Sequence, residues 1–192
     1  MRVVFVRLPP FFEFAATDRG NLGQAMRMVT ICAGLLLGAT SAHAGAADDC
    51  NQVRDLDRQR RGCTAFIKIG KGAPQNLATA HLNRANVYAQ QAKYDRALAD
   101  YDAALALDPQ NALIPYNRGN AYYDLKQYER AIADFSRATE VDASFSLAFF
   151  NRGLARERLG DFAAAADDYR RVLALDPTAT RARQRLERLQ SR

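Results

Sequence analysis

The sequence predicts an all-α fold: an α-α superhelix, or solenoid, of three full helix–turn–helix units. A degenerate N-terminal hairpin precedes them and a C-terminal capping helix follows. Three observations carry this. First, a short motif recurs as Asn83–Arg84–Ala85–Asn86, Asn117–Arg118–Gly119–Asn120 and Asn151–Arg152–Gly153–Leu154. Starts at 83, 117 and 151 set a period of 34 residues, and a period in this range marks a repeat array. Second, small and aromatic residues recur in phase with the motif. Third, the units close on Asp108–Pro109, Asp142–Ala143 and Asp176–Pro177, two of them with a helix-stopping proline.

The chain has 192 residues, 48% of them hydrophobic, enough for a short array with a core. Its net charge is +6, but 27 Lys+Arg stand against 21 Asp+Glu, interleaved along nearly every helical stretch. A nucleic-acid binder concentrates its bases on one face, so this charge reads as solvated faces and ion pairs. Nucleic acid is not an expected partner.

From Met26 the sequence has a short basic start, an apolar run Val29–Ala39 and an Ala42-x-Ala44 signature. This reads as a signal peptide over 26–44, cleaved after Ala44, with the mature protein in the periplasm or secreted. The apolar run is well short of the roughly 20 residues of a membrane span. An uncleaved anchor is the alternative, and no stable span is expected after cleavage. Residues 1–25 fit none of this. They are read as lying outside the true protein, with translation starting at Met26 or Met28, or as disordered. N-terminal sequencing that recovers them would refute an internal start.

Export leaves Cys50 and Cys63, an even pair that oxidises readily outside the cytoplasm. A bridge across this short loop stabilises by about 3 kcal/mol at most. Two free thiols remain the alternative. Two sulfurs without further ligands do not close a zinc site, so no metal is expected. The pair lies in the degenerate hairpin, 48–72, whose helix Asp57–Ile69 ends at the breaker Gly70–Lys71–Gly72–Ala73–Pro74.

The full units are 78–111, 112–145 and 146–179. Each splits into two helical patterns about a polar turn, at Gln91–Lys93, Lys126–Gln127 and Gly160–Asp161. Small residues hold the eighth (Ala85, Gly119, Gly153), twentieth (Ala97, Ala131, Ala165) and twenty-seventh (Ala104, Ala138, Val172) positions. They let antiparallel helices approach closely. Rings at the seventeenth (Tyr94, Tyr128, Phe162) and twenty-fourth (Tyr101, Phe135, Tyr169) positions are expected to fill the space between units. Arg84, Arg118 and Arg152 at position seven lie opposite Asp100, Asp134 and Asp168 at position twenty-three of an antiparallel hairpin. This predicts an Arg–Asp ladder, within each unit or to the next. The segment 180–192 carries a narrow Leu186/Leu189 stripe among arginines and reads as the cap.

Residues 78–179 resemble the tetratricopeptide repeat (TPR), and the signal, cysteine pair and Asn-Arg-Gly motifs resemble small exported proteobacterial members. At the fourth position, where a large aromatic is usual, stand His81, Pro115 and Phe149, and at the seventh, where an apolar residue is usual, stand arginines. His81 is expected in a helix's first turn.

No catalytic constellation occurs: there is no phosphate loop, no Gly-x-Ser-x-Gly and no His-x-x-x-His. Neither catalysis nor a cofactor is expected. The resemblance implies that the first helix of each unit lines a concave groove. Carried over, the groove positions give Asn83, Asn86, Tyr116, Asn117, Asn120, Tyr123, Phe150 and Asn151. Each asparagine amide donates and accepts, which suits the backbone of an extended peptide, and the rings suit side-chain pockets. The alternative is that the asparagines bond only to neighbouring helices. Some family members clamp a terminal carboxylate with lysine, asparagine and arginine. Asn86 and Asn117 match that set, but Leu82 replaces the lysine and Leu147 and Asn151 the basic pair. Arg181 and Arg185 stand at the next groove positions, where an acidic ligand end can dock.

The expected function is therefore a non-enzymatic scaffold in the bacterial periplasm that binds a protein or peptide in the groove. The alternative is a structural self-association or envelope-assembly module using convex surfaces. Whether the chain forms a homo-oligomer is left open, and light scattering decides it.

Overall fold

The computed structural model describes residues 44–191 apart from Val53. The expected leader and the segment before it fall on 1–43, outside the described residues. Among the described residues there are helices and no strands. They are α1 (described over 44–51), α2 (Leu56–Ile69), α3 (Pro74–Gln90), α4 (Tyr94–Leu107), α5 (Leu113–Asp124), α6 (Tyr128–Val141), α7 (Ser146–Leu159), α8 (Phe162–Leu175) and α9 (Thr180–Gln190). Helices α3–α4, α5–α6 and α7–α8 form three successive hairpins that stack into an α-α superhelix. None of the described helices is long and apolar enough to cross a membrane.

Local chemistry sets the helix ends. Asp55 caps α2, its carboxylate accepting from the Arg58 N–H at 2.9 Å, and Gly70 closes it at φ 64°. Asp161 caps α8 in the same way. The turn inside each hairpin needs one residue in the left-handed region: Ala92 (φ 54°), Lys126 (φ 60°) and Gly160 (φ 81°). Between hairpins, Asp142 accepts from the Ser144 N–H and hydroxyl, and Asp176 accepts identically from Thr178. These bonds hold both carboxyls below their ordinary pKa. Helix α3 starts at Pro74, a favoured first-turn proline, so His81 lies in mid-helix rather than in a first turn. There its Nδ1 is 2.9 Å from Asp100 Oδ1.

The core sits between the two helices of each hairpin. All the small positions named above are buried. Gly119 lets the ring pack tightly: a Cβ there would lie 2.8 Å from Cε1 of Phe135, so one of them would have to shift. Gly153 stands in the same relation to Tyr169. The rings Tyr101, Phe135 and Tyr169 are fully buried. The other ring set is different. Phe162 remains 40% exposed, against the expectation that it fills an inter-unit space. Its counterpart Tyr94 is half-buried and reaches Asp124 of the following hairpin.

The ladder forms within each hairpin. Arg84 grips Asp100, Arg118 grips Asp134 and Arg152 grips Asp168, each through Nε and Nη2 at 2.6–3.2 Å. The third nitrogen of each guanidinium, Nη1, reaches back to the preceding hairpin: to Thr64, Asp102 and Ser136 respectively. One arginine thus fixes both the hairpin and its stacking.

Cys50 and Cys63 are joined, with an S–S distance of 2.15 Å, and link α1 to α2. Gly62 lies so close to Asp49 and Cys50 that a Cβ would meet them at 2.5–2.6 Å. The bridge stands where the later hairpins pack a ring.

Burial pushes the Tyr101 hydroxyl well above its ordinary pKa, and burial followed by the Glu157 carboxylate does the same for Tyr169. A group whose pKa is raised by folding stabilises the fold fully below its ordinary pKa, and the contribution is lost as pH rises towards the folded value. Stability measured by urea denaturation is therefore expected to fall from about pH 10 upward, where free tyrosine ionises. Tyr101→Phe should flatten that fall; an unchanged slope would contradict the assignment.

Candidate peptide groove

Helices α3, α5 and α7 lie side by side along one face, with α9 after them. They are tied by a second ladder, built of amides. Asn117 Nδ2 donates to Asn86 Oδ1 at 3.2 Å, and Asn151 Nδ2 donates to Asn120 Oδ1 at 2.8 Å. Asn83 Nδ2 extends the series to Asn51 Oδ1 and the Cys50 carbonyl, both at 3.3 Å. The buried Tyr101 hydroxyl also donates to Asn86 Oδ1, at 2.7 Å.

Each of the two later rungs uses the amide nitrogen of one asparagine and the oxygen of the other. Among the described residues, Asn117 Oδ1, Asn151 Oδ1, Asn86 Nδ2 and Asn120 Nδ2 therefore keep hydrogen-bonding capacity without a partner. All four side chains are partly exposed. Asn86, Gln90, Tyr101, Asn117, Asn120 and Asp124 line a shallow hollow of about 350 Å³ between α3 and α5. The amides thus serve as inter-helix ties and still present both donors and acceptors.

The aromatic members are less free. Tyr116 packs against Phe145 at 4.7 Å between centroids, and its hydroxyl accepts from Asn151. Tyr123 packs edge-on to Tyr128, and its hydroxyl accepts from Arg158 Nε at 3.1 Å. Phe150 is buried against Tyr169 beneath the Arg181 guanidinium, 5.1 Å from the ring centroid, and forms no open pocket. Leu113 and Leu147, at the starts of α5 and α7, are exposed apolar groups.

At the C-terminal end the tie is ionic. Glu157 accepts from the Tyr169 hydroxyl at 2.5 Å, from Arg188 Nη2 at 2.6 Å and from Arg185 Nη1 at 3.3 Å. Glu157 is not among the groove residues expected from the sequence. A signal was available: Asn86 and Asn117, Asn120 and Asn151, and Glu157 and Arg188 are all 31 residues apart.

Repeated helical hairpins with a one-sided polar groove define a class of interaction scaffold, and the comparisons identify it. A family model described as "Tetratricopeptide repeat" matches residues 116–180, and one described as "TPR repeat" matches 85–126. The chain belongs to the tetratricopeptide repeat family. Among solved structures, it is 37% identical to the second TPR domain of human RPAP3 in complex with the HSP70 peptide SGPTIEEVD. That match covers 61% of this chain and 98% of the other, with a TM-score of 0.58. The first TPR of Spaghetti (RPAP3), bound to the HSP90 peptide SRMEEVD, is 32% identical over 62% of this chain and 94% of the other, with a TM-score of 0.58. A tetratricopeptide repeat protein from Parabacteroides merdae shares the fold at 23% identity, covering 79% and 61%, with a TM-score of 0.69. No curated protein sequence matches.

Proposed function

We propose that this protein is a non-enzymatic scaffold of the bacterial periplasm that binds an extended protein or peptide segment along its amide ladder. One observation carries the reading: four asparagine side chains, locked in place by their mutual bonds, each keep a polar atom available along one face. An amide held rigid by one bond loses little entropy when it makes a second, so the backbone of an extended chain meets a preorganised surface. The exposed Leu113 and Leu147 flank that face and suit apolar side chains of the ligand. Arg181 and Arg185 offer a dock for an acidic ligand end. The peptides held by the RPAP3 domains support a peptide ligand, and both end in acidic residues. The leader over 26–44 and the Cys50–Cys63 bridge support export.

The test is a pull-down from periplasmic extract with wild type and with Asn117→Ala/Asn151→Ala, thermal melts confirming that both are folded. Partners recovered by the wild type are expected to be lost or reduced at least about tenfold in the variant, the effect of removing two well-formed hydrogen bonds. Equal recovery of the same partners by both proteins would sink the groove reading.

A further inference from the structure

The last rung of the groove ladder differs in kind from the others. In the first hairpin the buried Tyr101 hydroxyl and the following Asn117 both donate to a neutral acceptor, Asn86. In the third hairpin the position of Asn86 is taken by Leu154, and Tyr169 donates instead to Glu157, one turn further along α7. The donors from the next helix are then guanidiniums rather than an amide.

The charges here do not balance. Glu157 is 9% exposed, whereas Arg185 and Arg188 remain 37% and 50% exposed. Among the described residues Arg185 uses only Nη1 and Arg188 only Nη2, which leaves most of their N–H groups facing solvent. Arg181, above Phe150, has no acidic partner among the described residues. Two guanidiniums therefore share one carboxylate, and a third, Arg181, stands on the same helix without one. A second carboxylate approaching from the groove finds two open donor forks, but it also meets the fixed charge of Glu157.

We propose that Glu157 is a built-in competitor for a ligand carboxylate: it part-neutralises Arg185 and Arg188 at the C-terminal end of the groove, and so sets how tightly that end holds an acidic peptide terminus. This rests on the groove reading above and adds to it the chemistry of one ligand end and the residue that tunes it. Glu157→Gln keeps an acceptor for Tyr169 and the shape of the side chain, and removes only the charge.

Titration calorimetry on the full chain tests this with the peptide SGPTIEEVD and with its uncharged counterpart, SGPTIQQVN carrying a C-terminal amide. E157Q is expected to bind the acidic peptide about fivefold more tightly than wild type, the size of one like-charge contact removed at a partly exposed site, with no gain for the amide version. Unchanged or weaker binding of the acidic peptide by E157Q overturns the proposal, because Glu157 then only pins α9. If E157Q melts early, Arg181→Ala gives the same test in the opposite sense without touching the Glu157 contacts. Binding of the acidic peptide should then drop about fivefold, and an unchanged affinity overturns the proposal. Absence of acidic-peptide binding in every protein also overturns it. The groove reading is judged separately, by the partners that Asn117→Ala/Asn151→Ala loses.

Discussion

Replacing Phe135 with alanine should remove about 3–5 kcal/mol of stability, the range for deleting a large buried ring. The ring is fully buried between α5 and α6, and the absence of a side chain at Gly119 is what admits it. Tyr116 lies tilted beside it at 6.0 Å, so the cavity would also loosen a ring of the groove face. The position makes the loss worse than its area suggests. In a linear array each repeat is stabilised by its neighbours, and Phe135 belongs to the central hairpin. Urea denaturation should show a lower midpoint and a broader transition, as the flanking hairpins lose their coupling. The converse change, Gly119→Ala, drives a methyl group to 2.8–2.9 Å from the same ring and should cost about 1–3 kcal/mol. The first hairpin bounds that cost from above. It carries Ala85 at this position with Tyr101 still buried, so a ring can settle against an alanine once the helices separate slightly. A Phe135→Ala protein as stable as wild type would mean that the hairpins hold together by some means other than this ring.

The features legible in the sequence are those that repeat. The period of 34, the small residues facing rings and the Arg–Asp partners all follow from one hairpin geometry applied three times, so each unit checks the others. What stayed hidden depends on ends and on rise between units. Phe162 is exposed while its counterparts Tyr94 and Tyr128 are half-buried, a difference that an aromatic residue at the same repeat position does not carry. His81 lies in mid-helix because α3 runs back to Pro74, a local extension that the other units lack. For the asparagines, one-dimensional spacing leaves two choices, a neighbouring helix or a ligand. The structure shows that a primary amide satisfies the first with one of its two polar ends and keeps the other. Phe150 is buried in a cluster with Tyr169, Val172 and Ala182 beneath Arg181, and Ala182 and Arg181 lie on α9, outside the repeat pattern.

Arg118→Ala should be the most damaging change in the ionic ladder, at about 3–5 kcal/mol, because it strands a buried carboxylate without a counter-charge. Asp134 is only 7% exposed, and among the described residues Arg118 is its sole partner, at 2.6 and 2.8 Å. The flanking rungs are better insured. Asp168 keeps Arg156 at 2.8 Å when Arg152 is removed, and Asp100 keeps His81 at 2.9 Å when Arg84 is removed. Arg152→Ala and Arg84→Ala should therefore cost less than Arg118→Ala, although all three arginines occupy the same place in the repeat. Asp102, the other acid on Arg118, is 61% exposed and returns to water freely, so Asp102→Ala should change stability by no more than about 1 kcal/mol. Arg118→Met/Asp134→Leu separates charge from shape. With both ions gone and the volume kept, most of the loss should be recovered, since a buried pair adds little net stability over well-packed apolar groups. The pair holds the Arg118 guanidinium's pKa above its ordinary value, chiefly through its bonds to Asp134. Equal costs for the three arginine variants in chemical denaturation would show that position in the repeat, rather than the second partner of each aspartate, governs the ladder.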